Sequence, residues 1–136
     1  MNKIIIVLFL GITFQVFSQT QEEMNREAYG HYHKVDDELN AVYAQILTSY
    51  KKDTLFIKNL KNAQRIWIKF RDAQLAMKYP DYPDNRYGSI EPICRVSYLS
   101  ELTQERINTL KEWLDGIEEG ETCSGSVKIK NTPSDK

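Results

Sequence analysis

Cysteine and histidine are scarce in this chain, with two of each among 136 residues. Two thiols without clustered histidines do not make a zinc site, so neither a metal nor a cofactor is expected. An excess of charge is missing too: 18 basic residues stand against 19 acidic ones, a formal charge of −1. A chain so close to neutrality has no global field to hold nucleic acid. Strand-type alternation of useful length is absent, as is any internal repeat beyond shared helical spacing. The longest apolar run, from Ile4 to about Phe14, falls short of the roughly 20 residues a spanning helix needs.

That run has another reading. "MNKIIIVLFLGITFQVFSQTQ" carries one early lysine, an apolar stretch, then Val16 and Ser18 spaced for signal peptidase. Residues 1–18 are therefore expected to be a signal peptide, with 19–123 the folded domain and 124–136 a flexible polar tail. No cysteine follows the run, which argues against a lipid anchor there. Export to the periplasm or the exterior would leave no membrane span and place both cysteines in an oxidising compartment. Cleavage removes Lys3 and no acid, moving the formal charge to −2.

What the chain does contain is helical spacing. Thr20 and Glu23 in "TQEE" read as a capping box. Ala28, Tyr32, Val35, Leu39, Val42 and Ile46 follow at intervals of three and four, one apolar face. "KKDT" interrupts, with Asp53 suited to cap the next helix. Its stripe reads Phe56, Leu60, Ala63, Trp67, Phe70, Gln74 and Met77, ended by "YPDYPDNRYGS", where prolines and Gly88 favour turns. Ser89 is placed to cap a third helix, with Pro92 tolerated in its first turn. Ile93, Val96, Leu99 or Ser100, Thr103, Ile107, Leu110, Leu114 and Ile117 form the third stripe, with Gly116 and Gly120 as possible stops. The expected fold is all-α: an antiparallel bundle of three long helices with a short polar C-terminal tail.

A turn near Lys52 sets the first two helices antiparallel. Residues whose numbers sum to about 104 then lie level, placing Asn40 opposite Gln64 and Asp36 within reach of Arg71. Asp36, Asn40 and Tyr43 on one helix, with Gln64, Trp67 and Arg71 on the other, predict a polar seam bordering the apolar stripes. A seam of this kind fixes register, because an unmatched buried polar group costs roughly 1–3 kcal/mol. The plainer alternative is a set of solvated residues at the stripe's edge.

These residues also carry a family likeness. "EMNREAYGHYHKVDDELNAVY", "LKNAQRIWIKFRDA", "YGSIEPIC" and "LTQERINTL" resemble the LprI-type lysozyme-inhibitor domain over about 22–114. The most specific runs are D-x-x-L-N-x-x-Y, here Asp36, Leu39, Asn40 and Tyr43, and A-Q-x-x-W-x-x-F-R-D-A at 63–73. The resemblance implies an exported helical domain that inhibits lysozyme, and it supplies no catalytic residues. Family members often carry cysteine where this chain has Glu27 and Leu75, so those cross-links are absent here.

Cys94 opens the third helix and Cys123 lies beyond its end. From Cys94 to Gly116 a straight helix spans roughly 33 Å. Seven extended steps recover at most about 25 Å, and a disulfide needs Cα atoms within about 7 Å. A bond within the chain requires the helix to end early or bend; the alternatives are free thiols or a bond between chains.

Catalysis finds little support. His31 and His33 are two apart and diverge on a helix. Glu101 and Glu105 share a face but lie in a solvated pattern, and no nucleophile, base and oxyanion donor converge. Two surfaces remain. The loop residues Tyr79, Asp81, Tyr82, Asp84, Asn85, Arg86 and Tyr87 combine aromatics and arginine between prolines, a composition suited to a partner contact. The plainer reading is an ordinary interhelix turn whose tyrosines cover the bundle end. If the partner is a basic lysozyme-type glycoside hydrolase, the acidic residues Glu112, Asp115, Glu118, Glu119 and Glu121 would steer its approach. The basic line Lys58, Lys61, Arg65 and Lys69 supports a different function, a non-catalytic envelope protein on anionic wall polymer or lipid headgroups. On a plain reading it is a solvated face.

Overall fold

This computed structural model describes the backbone of residues 2–84 and 86–130, and side chains from residue 20 onward. The elements are α1 (Asn2–Ser49), α2 (Thr54–Lys78) and α3 (Glu91–Asp115). Helix α1 runs unbroken through Thr20. The first-turn amides of a helix starting there are thus already inside a helix, and the expected capping box does not act as a terminus.

The core lies mainly between α1 and α3. Val35, Leu39, Val42 and Ile46 are buried on α1, and Val96, Ile107 and Leu110 on α3. Ser100 and Thr103 share that buried face without stranding a polar group. The Ser100 hydroxyl donates to Val96 O at 3.0 Å and the Thr103 hydroxyl to Leu99 O at 2.7 Å. Of the two residues proposed for that position of the stripe, Ser100 rather than Leu99 is the buried one. Glu38 of α1 meets Lys111 of α3 at 2.7 Å across the edge.

The connection from α1 to α2 forms as its sequence indicates. Asp53 caps α2, its Oδ1 accepting from Phe56 N at 2.9 Å. Tyr50 closes the corner, donating from its hydroxyl to Trp113 O at 3.1 Å and lying 4.5 Å from the Phe56 ring. The start of α3 differs from expectation: Ile90, not Ser89, is the cap residue, and no side chain caps it. With Glu91 as the first helical residue, Ser89 lies one position too early to serve.

Helix α2 is turned relative to the expected stripe. Leu60 is buried and Phe56, Gln64, Trp67, Arg71 and Gln74 are half-buried, whereas Ala63, Phe70 and Met77 are exposed. Apolar residues occur on several faces of this helix (Leu55, Ile66 and Ile68 are exposed as well), so periodicity alone does not select its inward side.

Helix α3 stops at Gly116, whose φ of 71° lies in the left-handed region. A Cβ there would come 2.7 Å from Lys128 O, so the returning chain requires glycine. That chain packs back rather than hanging loose. Ile117 N donates to Lys128 O at 3.0 Å and Lys130 N to Ile117 O at 2.8 Å. Trp113 Nε1 donates to Ser126 Oγ at 3.0 Å, and Lys128 Nζ to Ser49 O at 2.9 Å. The expected tail is thus docked on the bundle end through residue 130. Its remainder lies outside the described residues.

Candidate interaction surface

The loop between α2 and α3 is held from below by Arg95 in the second turn of α3. Its Nη2 donates to Tyr79 O at 2.7 Å and to Asp81 Oδ1 at 2.8 Å, while Nε donates to Glu91 Oε1 at 2.7 Å. The Glu91 hydrogen bond is the largest influence raising the Arg95 pKa, which keeps the guanidinium charged. Tyr79 meets Tyr87 edge-on at 5.7 Å and Tyr98 at 6.4 Å, and Lys78 Nζ lies 3.6 Å from the centre of the Tyr98 ring. Gln21 of α1 reaches Ser89 O at 3.4 Å, tying the loop to the first helix.

Above this base stands an exposed tier. Tyr82 is 45 % exposed, and the Arg86 guanidinium lies 3.9 Å over its ring while bonding Asp84 at 2.9 Å. The Asp81 side chain is 96 % exposed despite its bond to Arg95. The structure thus brings Tyr79, Asp81, Tyr82, Asp84, Arg86 and Tyr87 together at one end of the bundle, and Asn85 lies outside the described residues. Desolvation by its neighbours raises the Tyr87 phenol pKa, with Tyr82 adding to the effect.

The acidic residues 112–121 are elsewhere. Helix α3 starts at the loop and ends at Asp115, 24 residues on, so about 36 Å of helix separates the two. Screening acts over about 8 Å at physiological ionic strength. The acidic segment therefore lies several screening lengths from the loop.

The predicted seam takes a different form. Asn40 Nδ2 donates to Asp36 Oδ2 at 3.3 Å within α1, not to Gln64. Gln64 Oε1 instead accepts from Arg106 Nε of α3 at 3.0 Å. Arg71 turns to its neighbour Asp72 at 2.9 Å rather than to Asp36, and stacks 5.3 Å from the Trp67 ring. Tyr43 is half-buried against the core. The physical reason is the packing order: α2 lies along α3, so its polar edge finds partners there rather than on α1. Arg95 and Arg106 were both missed in sequence. For Arg106 the signal was present, since Leu99, Leu102, Arg106, Leu110 and Trp113 mark a second inward edge of α3.

Cys94 and Cys123 are not bonded to each other. Helix α3 neither ends early nor breaks before Asp115, so the condition for a bond within the chain is unmet.

The model of the family described as "Lysozyme inhibitor LprI" matches residues 16–110. The chain belongs to this family. The LprI match covers most of α1, all of α2 and the loop, and α3 as far as Leu110. A relative in Rhizobium meliloti (strain 1021), described as "Uncharacterized protein R02472", is 31% identical over 110 residues, covering 73% of this chain and 77% of its own. No solved structure matches. Among the described residues, no helix of this LprI member is long and apolar enough to cross a membrane.

Proposed function

We propose that this LprI-family protein is exported and inhibits a lysozyme, covering the enzyme's cleft with its 79–87 loop. The observation that supports this reading best is the two-tier construction of the loop. Arg95 and the stacked tyrosines hold its base, so the exposed Tyr82, Asp84 and Arg86 lose little freedom on binding. Tyrosine and arginine are the side chains that most often anchor protein contacts. A lysozyme acts with two carboxyl groups flanking its glycan. A rigid protrusion over that cleft stops turnover without any chemistry in the inhibitor, which fits a family of inhibitors rather than catalysts. The test is lysis of bacterial cell walls followed by turbidity, with purified protein added to lysozymes of several types. Slowed lysis supports the proposal; undiminished lysis by every type at excess protein removes it.

A second reading rests on Lys58, Lys61, Arg65 and Lys69. Among the described residues none of the four has an ion-pair partner, leaving an exposed cationic line along α2 for an anionic wall polymer. Pull-down on cell walls that vanishes on changing Lys61 and Arg65 to alanine would favour it.

A further inference from the structure

At the end of the bundle away from the loop, α2 and α3 part to leave a groove of about 410 Å3. Its walls are Leu55, Phe56 and Leu60 from α2, with Leu110 and Trp113 from α3. This volume and apolar lining are those of pockets that hold small organic molecules. Asn59 and Ser126 also line it, and two charged groups mark its length. Asp53 stands at the start of α2, and Arg106 lies level with Gln64, roughly 16 Å along the helix.

The two are differently engaged. Asp53 is committed as the α2 cap, accepting from Phe56 N. Arg106 spends only Nε, on Gln64, and among the described residues no carboxylate lies within ion-pair distance of it. The adjacent Trp67 ring, 5.9 Å away, covers one side of the guanidinium. Burial lowers the Arg106 pKa, consistent with a cation short of compensating charge. A half-buried arginine with both terminal nitrogens unspent, beside an apolar trough, matches a carboxylate carrying an apolar tail.

We propose that the α2–α3 groove binds an aliphatic carboxylate, its head group on Arg106 and its tail along Leu60, Phe56, Leu55 and Trp113. The site is independent of the lysozyme reading, because the loop sits at the opposite end of both helices.

The probe is a matched pair, octanoate and octanol, titrated into the purified protein by calorimetry and tryptophan fluorescence. Octanoate should bind about tenfold more tightly than octanol, the ratio expected of one charge-assisted hydrogen bond. In Arg106→Gln the ratio should fall to about one, with octanol affinity unchanged. Should that variant fail to fold, Leu55→Asp serves instead, since Leu55 is 66 % exposed and tolerates charge. It should weaken octanoate more than octanol. Equal binding of the pair by the unaltered protein, no saturable binding of either, or a ratio unmoved by these substitutions would overturn the proposal.

Discussion

Arg95 and Tyr79 are joined by a 2.7 Å hydrogen bond from guanidinium to main-chain carbonyl, and through it the α2–α3 loop is fastened to a helix. The same nitrogen also reaches Asp81, and Nε reaches Glu91. One side chain thereby fixes the end of α2, the loop and the start of α3. Replacing Arg95 with alanine should leave the helical content intact but speed trypsin cleavage after Arg86. It should also weaken lysozyme inhibition about tenfold, the equivalent of one charged hydrogen bond. Lysine at this position should not restore either property, having no fork to span the partners. Unchanged cleavage in Arg95→Ala would show that the tyrosine stack alone orders the loop.

The facing of α2 makes a paired prediction. Leu60→Ala empties buried volume and should destabilise by about 2–3 kcal/mol. Phe70→Ala removes a ring that is 55 % exposed and should stay within about 0.5 kcal/mol. Chemical denaturation of both variants checks this, and a larger loss at Phe70 would mean that the helix presents its other face to the core.

Asp53→Ala should cost about 1 kcal/mol, the usual worth of an N-cap, because Phe56 N loses its acceptor. Thermal melting reads this directly, and asparagine in the same place should recover most of the loss.

Gly116→Ala should destabilise by about 1–3 kcal/mol from its backbone alone, since φ 71° with ψ 178° is open essentially to glycine. The added methyl must also displace Lys128 O, so residues 117–130 should lift from the bundle end. Loss of the Trp113–Ser126 hydrogen bond would then shift tryptophan fluorescence. A native spectrum with native melting would contradict the docked arrangement.

Thiol titration of the unfolded, unreduced protein should count two reactive groups per chain, or reveal a dimer that reductant dissolves. A compact monomer without free thiols would require α3 to break between Cys94 and Asp115, against the structure.

How far these features were readable from residues depends on how many faces each helix offers. Helix α1 has a single apolar stripe: Val35, Leu39, Val42 and Ile46 are buried as its spacing indicates, and Ala28 and Tyr32 ahead of them are half-buried. Helix α2 scatters Leu55, Ile66, Ile68, Phe70 and Met77 around its axis, so which face turns inward is decided by α3, not by α2's own pattern. The same dependence undid the seam. Asn40 and Gln64 are level only if α1 and α2 are packing neighbours, whereas the stronger neighbour of each is α3.

Local signals fared better than distant ones. Asp53, Pro92 and Gly116 act within a turn of their own positions, and each stands at the terminus its chemistry suits. The loop's prolines and tyrosines marked it as a connection, but its anchor is 16 residues away at Arg95, with nothing local to announce the pairing. Docking of residues 117–130 was hidden for a similar reason. Val127 and Ile129 are isolated apolar residues in a polar segment, and only the return of the chain brings Ile129 beside Ile117.

The account turns on the loop's exposed tier, and the most direct measurement is the inhibition constant against a lysozyme for the intact protein and for a Tyr82→Ala, Arg86→Ala double variant. Both side chains stand outside the core, so the melting temperature should stay within a few degrees while the constant rises by tenfold or more, as truncated interface anchors do. An inhibition constant unchanged by the double substitution would place the contact elsewhere and contradict the account.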